Sequence, residues 1–314
     1  MIVSVSRRSD IPALYAPWFF KRLEQGFALV RNPVNPKQVS RVFLTPQAVT
    51  GFVFWSKNPQ PMLENLARLK SYPFYFQFTL TPYGRKLEPG LPDKRRIVET
   101  FLRLSEKIGS DRVIWRYDPV LIGKAWPVSR HAEAFDALAR ALSGATSRAV
   151  FSIVDGYAHL RTPMRGGVFA APDAGQMRFL AESFAKSAKC AGMTLETCAE
   201  TMDLSGLGIA HGRCVDAALL RHLGAAPEKI KKDPAQRPAC GCAASVDIGA
   251  YDTCRLGCRY CYANHSAALL RRRVLAHDPD SPLLTGALLP EDRVHDRGAP
   301  PAAQQIHFLD GDLS

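Results

Sequence analysis

Three cysteines late in the chain, Cys254, Cys258 and Cys261, stand at the spacing C-x3-C-x2-C. Three thiolates that close together can each hold one iron of a cubane [4Fe–4S] cluster, leaving the fourth iron open to a cofactor. The same spacing suits tetrahedral zinc, for which Cys240 or Cys242 offers a fourth sulfur. Two features favour iron and sulfide. The triplet is compact and unevenly spaced, whereas zinc sites usually join two separated pairs. Tyr260 also stands directly before the third cysteine, where its ring can pack on a bound adenine. Four further cysteines, Cys198, Cys214, Cys240 and Cys242, are expected to share a second, fully ligated cluster that relays electrons or binds substrate. The alternatives are His211 as a nearby ligand and scattered buried thiols behaving as small hydrophobes. Cys190 lies in an apolar helical pattern and is expected in the core.

These thiols need a scaffold. Six short β-rich runs, at 2–7, 51–57, 74–80, 113–118, 149–155 and 194–198, alternate with apolar residues at helical spacing over 62–69, 95–108, 131–142 and 176–190. That alternation predicts an α/β fold: a partial or complete (βα) barrel of about six parallel strands. A β-hairpin is expected as an insertion near 28–44, because Arg31-Asn-Pro-Val-Asn-Pro36 supplies turn residues between two apolar runs. The chain divides into the barrel (1–225), a cysteine-rich segment on the barrel mouth (226–275) and an irregular tail (276–314).

In parallel barrels the carboxyl ends of the strands form the reactive face. Here almost every run ends in charged or hydrogen-bonding residues, and Arg7, Lys57, Arg116, Asp118, Asp155 and Glu200 are the expected catalytic or orienting groups. Burying that many charges costs several kcal/mol each unless they pair or bind something.

Composition bounds the function. The chain has 314 residues, and its 46% hydrophobic and 22% charged content is that of a globular protein. It has no apolar run of membrane-spanning length and no leader pattern at its start, so a cytoplasmic protein without a membrane partner is expected. Eight cysteines without such a leader suit a reducing compartment, where clustered thiols hold metal. The formal net charge of +12 and the Arg271-Arg272-Arg273 run leave two substrate classes open, a small molecule or nucleic acid. No phosphate-cradling glycine loop, zinc-protease helix or serine-nucleophile elbow is present.

The cysteine triplet with Tyr260 resembles the cluster motif of the radical S-adenosylmethionine superfamily. Gly257-Cys-Arg-Tyr-Cys-Tyr-Ala263 is similar to the corresponding stretch of spore photoproduct lyase-like proteins. Longer stretches resemble a bacterial family, domain of unknown function 1848. They are Ser6-Arg-Arg-Ser-Asp-Ile-Pro12, Arg31 to Gln38, Phe54-Trp-Ser-Lys-Asn-Pro59, Phe76 to Gly84, Trp115-Arg-Tyr-Asp-Pro119 and Asp247-Ile-Gly-Ala-Tyr251. The superfamily resemblance implies a [4Fe–4S] cluster whose open iron binds S-adenosyl-L-methionine. One electron, from a donor such as a ferredoxin or flavodoxin, then cleaves the cofactor to a radical that abstracts hydrogen from substrate. In that superfamily the triplet follows the first strand. Here it follows six, which implies a permuted barrel, with Asp247 to Tyr251 as the displaced strand and Ser266 to Leu275 as its helix. Two other readings stand beside this one. The first is a nucleic-acid-directed iron–sulfur protein, repair-like or non-catalytic, and the second a zinc-stapled barrel hydrolase using rim carboxylates.

Overall fold

The structure, a computed structural model, describes residues 1–154, 169–226 and 230–298. In chain order the elements begin with β1 (Ile2–Val5), α1 (Ile11–Leu14), α2 (Ala16–Gln25), β2 (Phe27–Arg31), β3 (Gln38–Phe43) and β4 (Gly51–Ser56). A 3-10 run (Gln60–Leu69) leads to β5 (Phe74–Thr79), α3 (Lys94–Ile108), β6 (Val113–Val120), α4 (Val128–Ala141) and β7 (Arg148–Ile153). Then come α5 (Ala174–Cys190), β8 (Thr194–Thr197), β9 (Ala210–His211), α6 (Ala217–His222), β10 (Ser245–Asp247), α7 (Ala267–Leu275) and β11 (Arg293–Arg297).

Eight strands form one parallel sheet in the order β10-β1-β4-β5-β6-β7-β8-β9. Both faces are apolar because both are covered, as parallel sheets require. On the outer face Phe54 stacks on Phe76 at 4.7 Å, while Trp115 stacks on Phe135 of α4 at 4.6 Å. Phe135 in turn stacks on Phe184 of α5 at 4.1 Å, joining the two helices. The inner face, on alternate residues, presents Ile2, Val53, Tyr75, Ile114 and Val150.

The sheet is open, so the complete-barrel form is not the one adopted. Its edges, β10 and β9, do not pair with each other. The physical reason is that the chain after β9 turns back across the inner face and fills it. The Tyr75 hydroxyl and the Gln77 amide both donate to the carbonyl of Cys214, at 2.7 and 3.0 Å. Val215, Leu220, Cys240, Cys242 and Ala243 pack there with the inward strand residues. Gly51 permits the contact, since a Cβ on it would meet Leu220 Cδ2 at 2.6 Å.

The expected hairpin forms as β2 and β3, paired antiparallel. It belongs to a second, three-stranded sheet with β11, which pairs parallel with β3 inside the stretch expected to be an irregular tail. The helix expected at 62–69 winds instead as the 3-10 run, with prolines at 59 and 61 flanking its start and Met62, Leu63, Leu66 and Leu69 buried. Cys190 is exposed at the end of α5 rather than in the core, because the buried stripe of that helix runs through Met177, Leu180, Phe184 and Ala188.

His131 illustrates how the outer layer is locked. It is fully buried; its Nε2–H donates to the carbonyl of Leu121 (3.0 Å), which leaves Nδ1 to accept from the Tyr117 hydroxyl (2.9 Å). Burial lowers its pKa, so protons bind the unfolded chain more readily once the pH drops below the ordinary histidine value of about 6.5. Stability is therefore complete above that pH and falls below it. The denaturation midpoint should drop between about pH 7.5 and 5.5, and drop less in His131→Gln, which keeps a donor and an acceptor. Equal pH slopes in the two proteins would contradict this role.

Candidate functional site

The carboxyl end of the parallel sheet opens into one cavity of about 570 Å3. Seven cysteines line it: Cys254, Cys258 and Cys261 from one segment, and Cys198, Cys214, Cys240 and Cys242 from three others. The convergence follows from the topology. β10 lies beside β1 at the sheet edge, and the loop bearing the three cysteines leaves its carboxyl end before α7 begins. The strand expected over Asp247 to Tyr251 thus ends at Asp247 rather than beginning there. It runs parallel to β1, with Ser4 opposite Asp247.

Asp247 is the junction. Its carboxylate accepts from Ser4 Oγ (3.0 Å), Ser6 Oγ, the Arg7 amide (2.7 Å) and the Gly249 amide (2.9 Å). One side chain therefore ties the turn after β1 to the turn after β10. The cysteine loop is then braced at several points. Tyr15 donates to the Thr253 carbonyl (2.6 Å), Asn264 Nδ2 to the Cys254 carbonyl (2.6 Å), and the Gly90 amide to the Leu256 carbonyl (3.0 Å). Asp252 sits at φ 55, a left-handed conformation that aspartate tolerates better than most residues, and its carboxylate accepts the amides of His265 and Ser266. Burial pushes the thiols up: Cys258 to about 12, with Cys254 and Cys261 also raised.

The second set is tighter. Cys198 and Cys214 have their sulfurs 3.2 Å apart, and Val215 donates its amide to Cys242 Sγ at 3.4 Å. The Cys242 thiol hydrogen-bonds Cys240 and lowers its pKa to about 6. Cys198 is raised, first by its hydrogen bond with Cys214 and then by burial. Arg116 faces this set, donating to Cys214 Sγ at 2.7 Å and pairing with Asp118, which also accepts from Ser152. Burial works against the Arg116 charge, but Cys214 and Asp118 more than offset it and raise its pKa.

Trp55 projects into the cavity with the guanidiniums of Arg7 and Arg116 at 5.9 and 5.4 Å from its ring. Its Nε1 is buried without a hydrogen-bond partner, and so is Ser9 Oγ on the same wall. Native proteins rarely strand such groups, so both point to a bound molecule or water as the missing partner.

Of the residues expected from sequence, Arg7, Lys57, Arg116, Asp118 and Tyr260 line this cavity with the seven cysteines. Asp155 lies outside the described residues. Glu200 does not line the cavity; its carboxylate accepts the Ile153 amide at 2.8 Å and braces the end of β7. His211 is exposed, hydrogen-bonds Thr197 and does not line the cavity.

Sequence reasoning missed Glu88, whose side chain is fully buried. It pairs with Lys57 Nζ at 2.8 Å and with Lys94, and accepts from Thr81 (2.8 Å) and from the Tyr260 hydroxyl. Burial alone would raise its pKa, but the two lysines hold it down at about 2. The network anchors Tyr260 from behind and keeps Lys57 beside Cys258. Asp10 is held nearby by Ser56 Oγ, the Lys57 amide and the Ala13 amide, and burial pushes it up to about 6.

Among the described residues, no group of three or more His, Cys, Asp or Glu side chains is spaced to hold a single metal ion. A cubane carries each thiolate on a different iron, so its ligands need not crowd one point.

Two substitutions test this architecture. Glu88→Gln leaves two buried-side ammonium groups without their counter-charge and should cost about 3 kcal/mol in chemical denaturation, against less than about 1 kcal/mol if the network is incidental. Gly90→Ala sets a Cβ 2.6 Å from the Leu256 carbonyl oxygen and must push the cysteine loop outward. Alkylation of Cys254 and Cys258 in the metal-free protein should then speed up about tenfold; an unchanged rate would show that the loop is not held there.

No curated protein and no solved structure matches the chain. Residues 2–263 match the family described as a domain of unknown function (DUF1848), and the chain belongs to that family.

Proposed function

We propose that this protein is an iron–sulfur enzyme of the radical S-adenosylmethionine type, with a second cluster facing the first across the substrate space. The observation that carries the reading is the convergence of seven thiols on one cavity at the carboxyl end of a parallel sheet. The residues fit the group: the ligands are all soft sulfurs, they fall into a set of three and a set of four, and two buried polar atoms on the wall lack partners. Cys254, Cys258 and Cys261 would hold the cluster with the open iron, and Cys198, Cys214, Cys240 and Cys242 the fully ligated one. Bound there, the first cluster supplies one electron to cleave S-adenosyl-L-methionine at its open iron.

The chain's own groups have separable roles in this reading. Tyr260, fixed by Glu88, would be the ring that packs against the adenine. Lys57 sets a positive charge beside Cys258, favouring the anionic thiolate set. Arg116 does the same for Cys214, and Asp118 holds Arg116 in place with Ser152 as its support. Arg7 and Trp55 line the same cavity and would orient substrate, with the Trp55 Nε1–H free to donate to it. An external one-electron donor protein, such as a ferredoxin or flavodoxin, would supply the electron in this reading.

Reconstituted anaerobically with iron and sulfide, the protein should release 5′-deoxyadenosine from S-adenosyl-L-methionine on addition of dithionite. The yield should exceed that of Cys258→Ala by at least about tenfold, while Cys198→Ala retains it. Release no greater than from Cys258→Ala would remove the proposed activity.

A further inference from the structure

A second cavity, of about 440 Å3, lies behind the cysteine loop, walled by the β2–β3 hairpin, α7 and the 283–286 segment. Its floor is apolar, with Leu29, Ile248, Leu283 and Leu284 all buried. Its remaining walls carry four guanidiniums, Arg8, Arg31, Arg272 and Arg273, against a single carboxylate, Asp252.

The charges do not cancel. Asp252 is already occupied by the amides of His265 and Ser266 and by the His265 ring at 3.1 Å. Arg273 donates to the Tyr251 carbonyl and lies 3.9 Å from Asp252, drawing further on the same carboxylate. Arg31 is consumed by Asp292, with both carboxylate oxygens at 2.5 and 2.6 Å. Among the described residues, Arg8 and Arg272 have no ion-pair partner. Arg8 is half-buried and lies over the Tyr251 ring at 5.4 Å, so its position is set without a counter-ion. Guanidiniums gathered around an apolar pocket repel one another until an anion arrives, and their fork geometry matches phosphate oxygens.

We propose that this cavity binds the phosphomonoester group of a small molecule with an apolar body. Two unneutralised guanidiniums match the two charges of a monoester, whereas a phosphodiester brings one. The apolar floor accommodates a ring or short chain beneath the phosphate. Arg8 and Tyr251 line both this cavity and the thiol-lined one. A ligand here therefore touches the wall of the main site, whatever metal that site holds.

Phenyl phosphate supplies the required chemistry and can be titrated calorimetrically into the protein as isolated. It should bind, and Arg8→Met and Arg272→Met should each weaken binding at least about tenfold, with unliganded melting temperatures unchanged. Methyl phenyl phosphate, the singly charged diester, and the neutral benzyl alcohol should bind more weakly still. The proposal is overturned if phenyl phosphate shows no heat up to about 10 mM, or if both arginine variants bind as the parent does. It is likewise overturned if the diester binds as well as the monoester, or if a short oligonucleotide displaces phenyl phosphate, which would assign the cavity to a nucleic-acid backbone. None of these measurements depends on cluster assembly, so the iron–sulfur reading can fail without touching this one.

Discussion

The arrangement turns on the carboxylate of Asp247. A three-residue edge strand has few ladder hydrogen bonds, and its position depends on what else fastens it. Asp247 takes donors from β1, from the turn after β1 and from its own following turn, fusing two chain ends 240 residues apart into one corner. Gly249 completes the corner by lacking a side chain, since a Cβ there would lie 2.1 Å from Ser6 Oγ. From this corner the cysteine loop departs toward the cavity, and from it Arg7 reaches Trp55. Charge-assisted hydrogen bonds to a carboxylate are about twice as strong as neutral ones, which suits a junction carrying that load.

The cavity interior has the opposite problem, because thiols and charges crowd into a space largely shielded from water. The solution is cation placement. Lys57 attends Cys258 and Arg116 attends Cys214, and each is itself anchored by a buried or half-buried carboxylate, Glu88 or Asp118. Each thiol set thus has one positive neighbour whose position is fixed from behind. The polypeptide keeps those cations in place at the expense of desolvation, a cost that folding alone does not recommend and that anionic ligands in the cavity would offset.

Much of the framework was legible in the chain. The strands β1, β4, β5, β6 and β7 announce themselves because each is a run rich in aromatic and branched residues, the mark of a parallel strand buried on both faces, whereas β8, Thr-Leu-Glu-Thr, shows it only weakly. The gathering of Arg7, Lys57, Arg116 and Asp118 follows from strand ends alone. Other features leave no local signature. β9 and β10 have two and three residues, too few for any periodicity; a strand beside the cysteine loop was expected only from the resemblance of its motif, and β9 not at all. Glu88 stands in a proline- and glycine-rich loop, and its importance arises from lysines supplied by two other segments. Cys190 misled because the helix around it is apolar on average, although its own position lies off the buried stripe. The inner plug, built from Cys214, Val215, Leu220, Cys240, Cys242 and Ala243, was hidden for the same reason: its contacts are to strands far away in sequence.

The central claim is that the triad of Cys254, Cys258 and Cys261 holds an iron–sulfur cluster. Iron, zinc and acid-labile sulfide in protein isolated without oxygen test it most directly. The account predicts iron and sulfide in equal amounts, each falling by about four per chain when all three cysteines are replaced by alanine. Zinc without sulfide, or iron unchanged by the triple replacement, would contradict it.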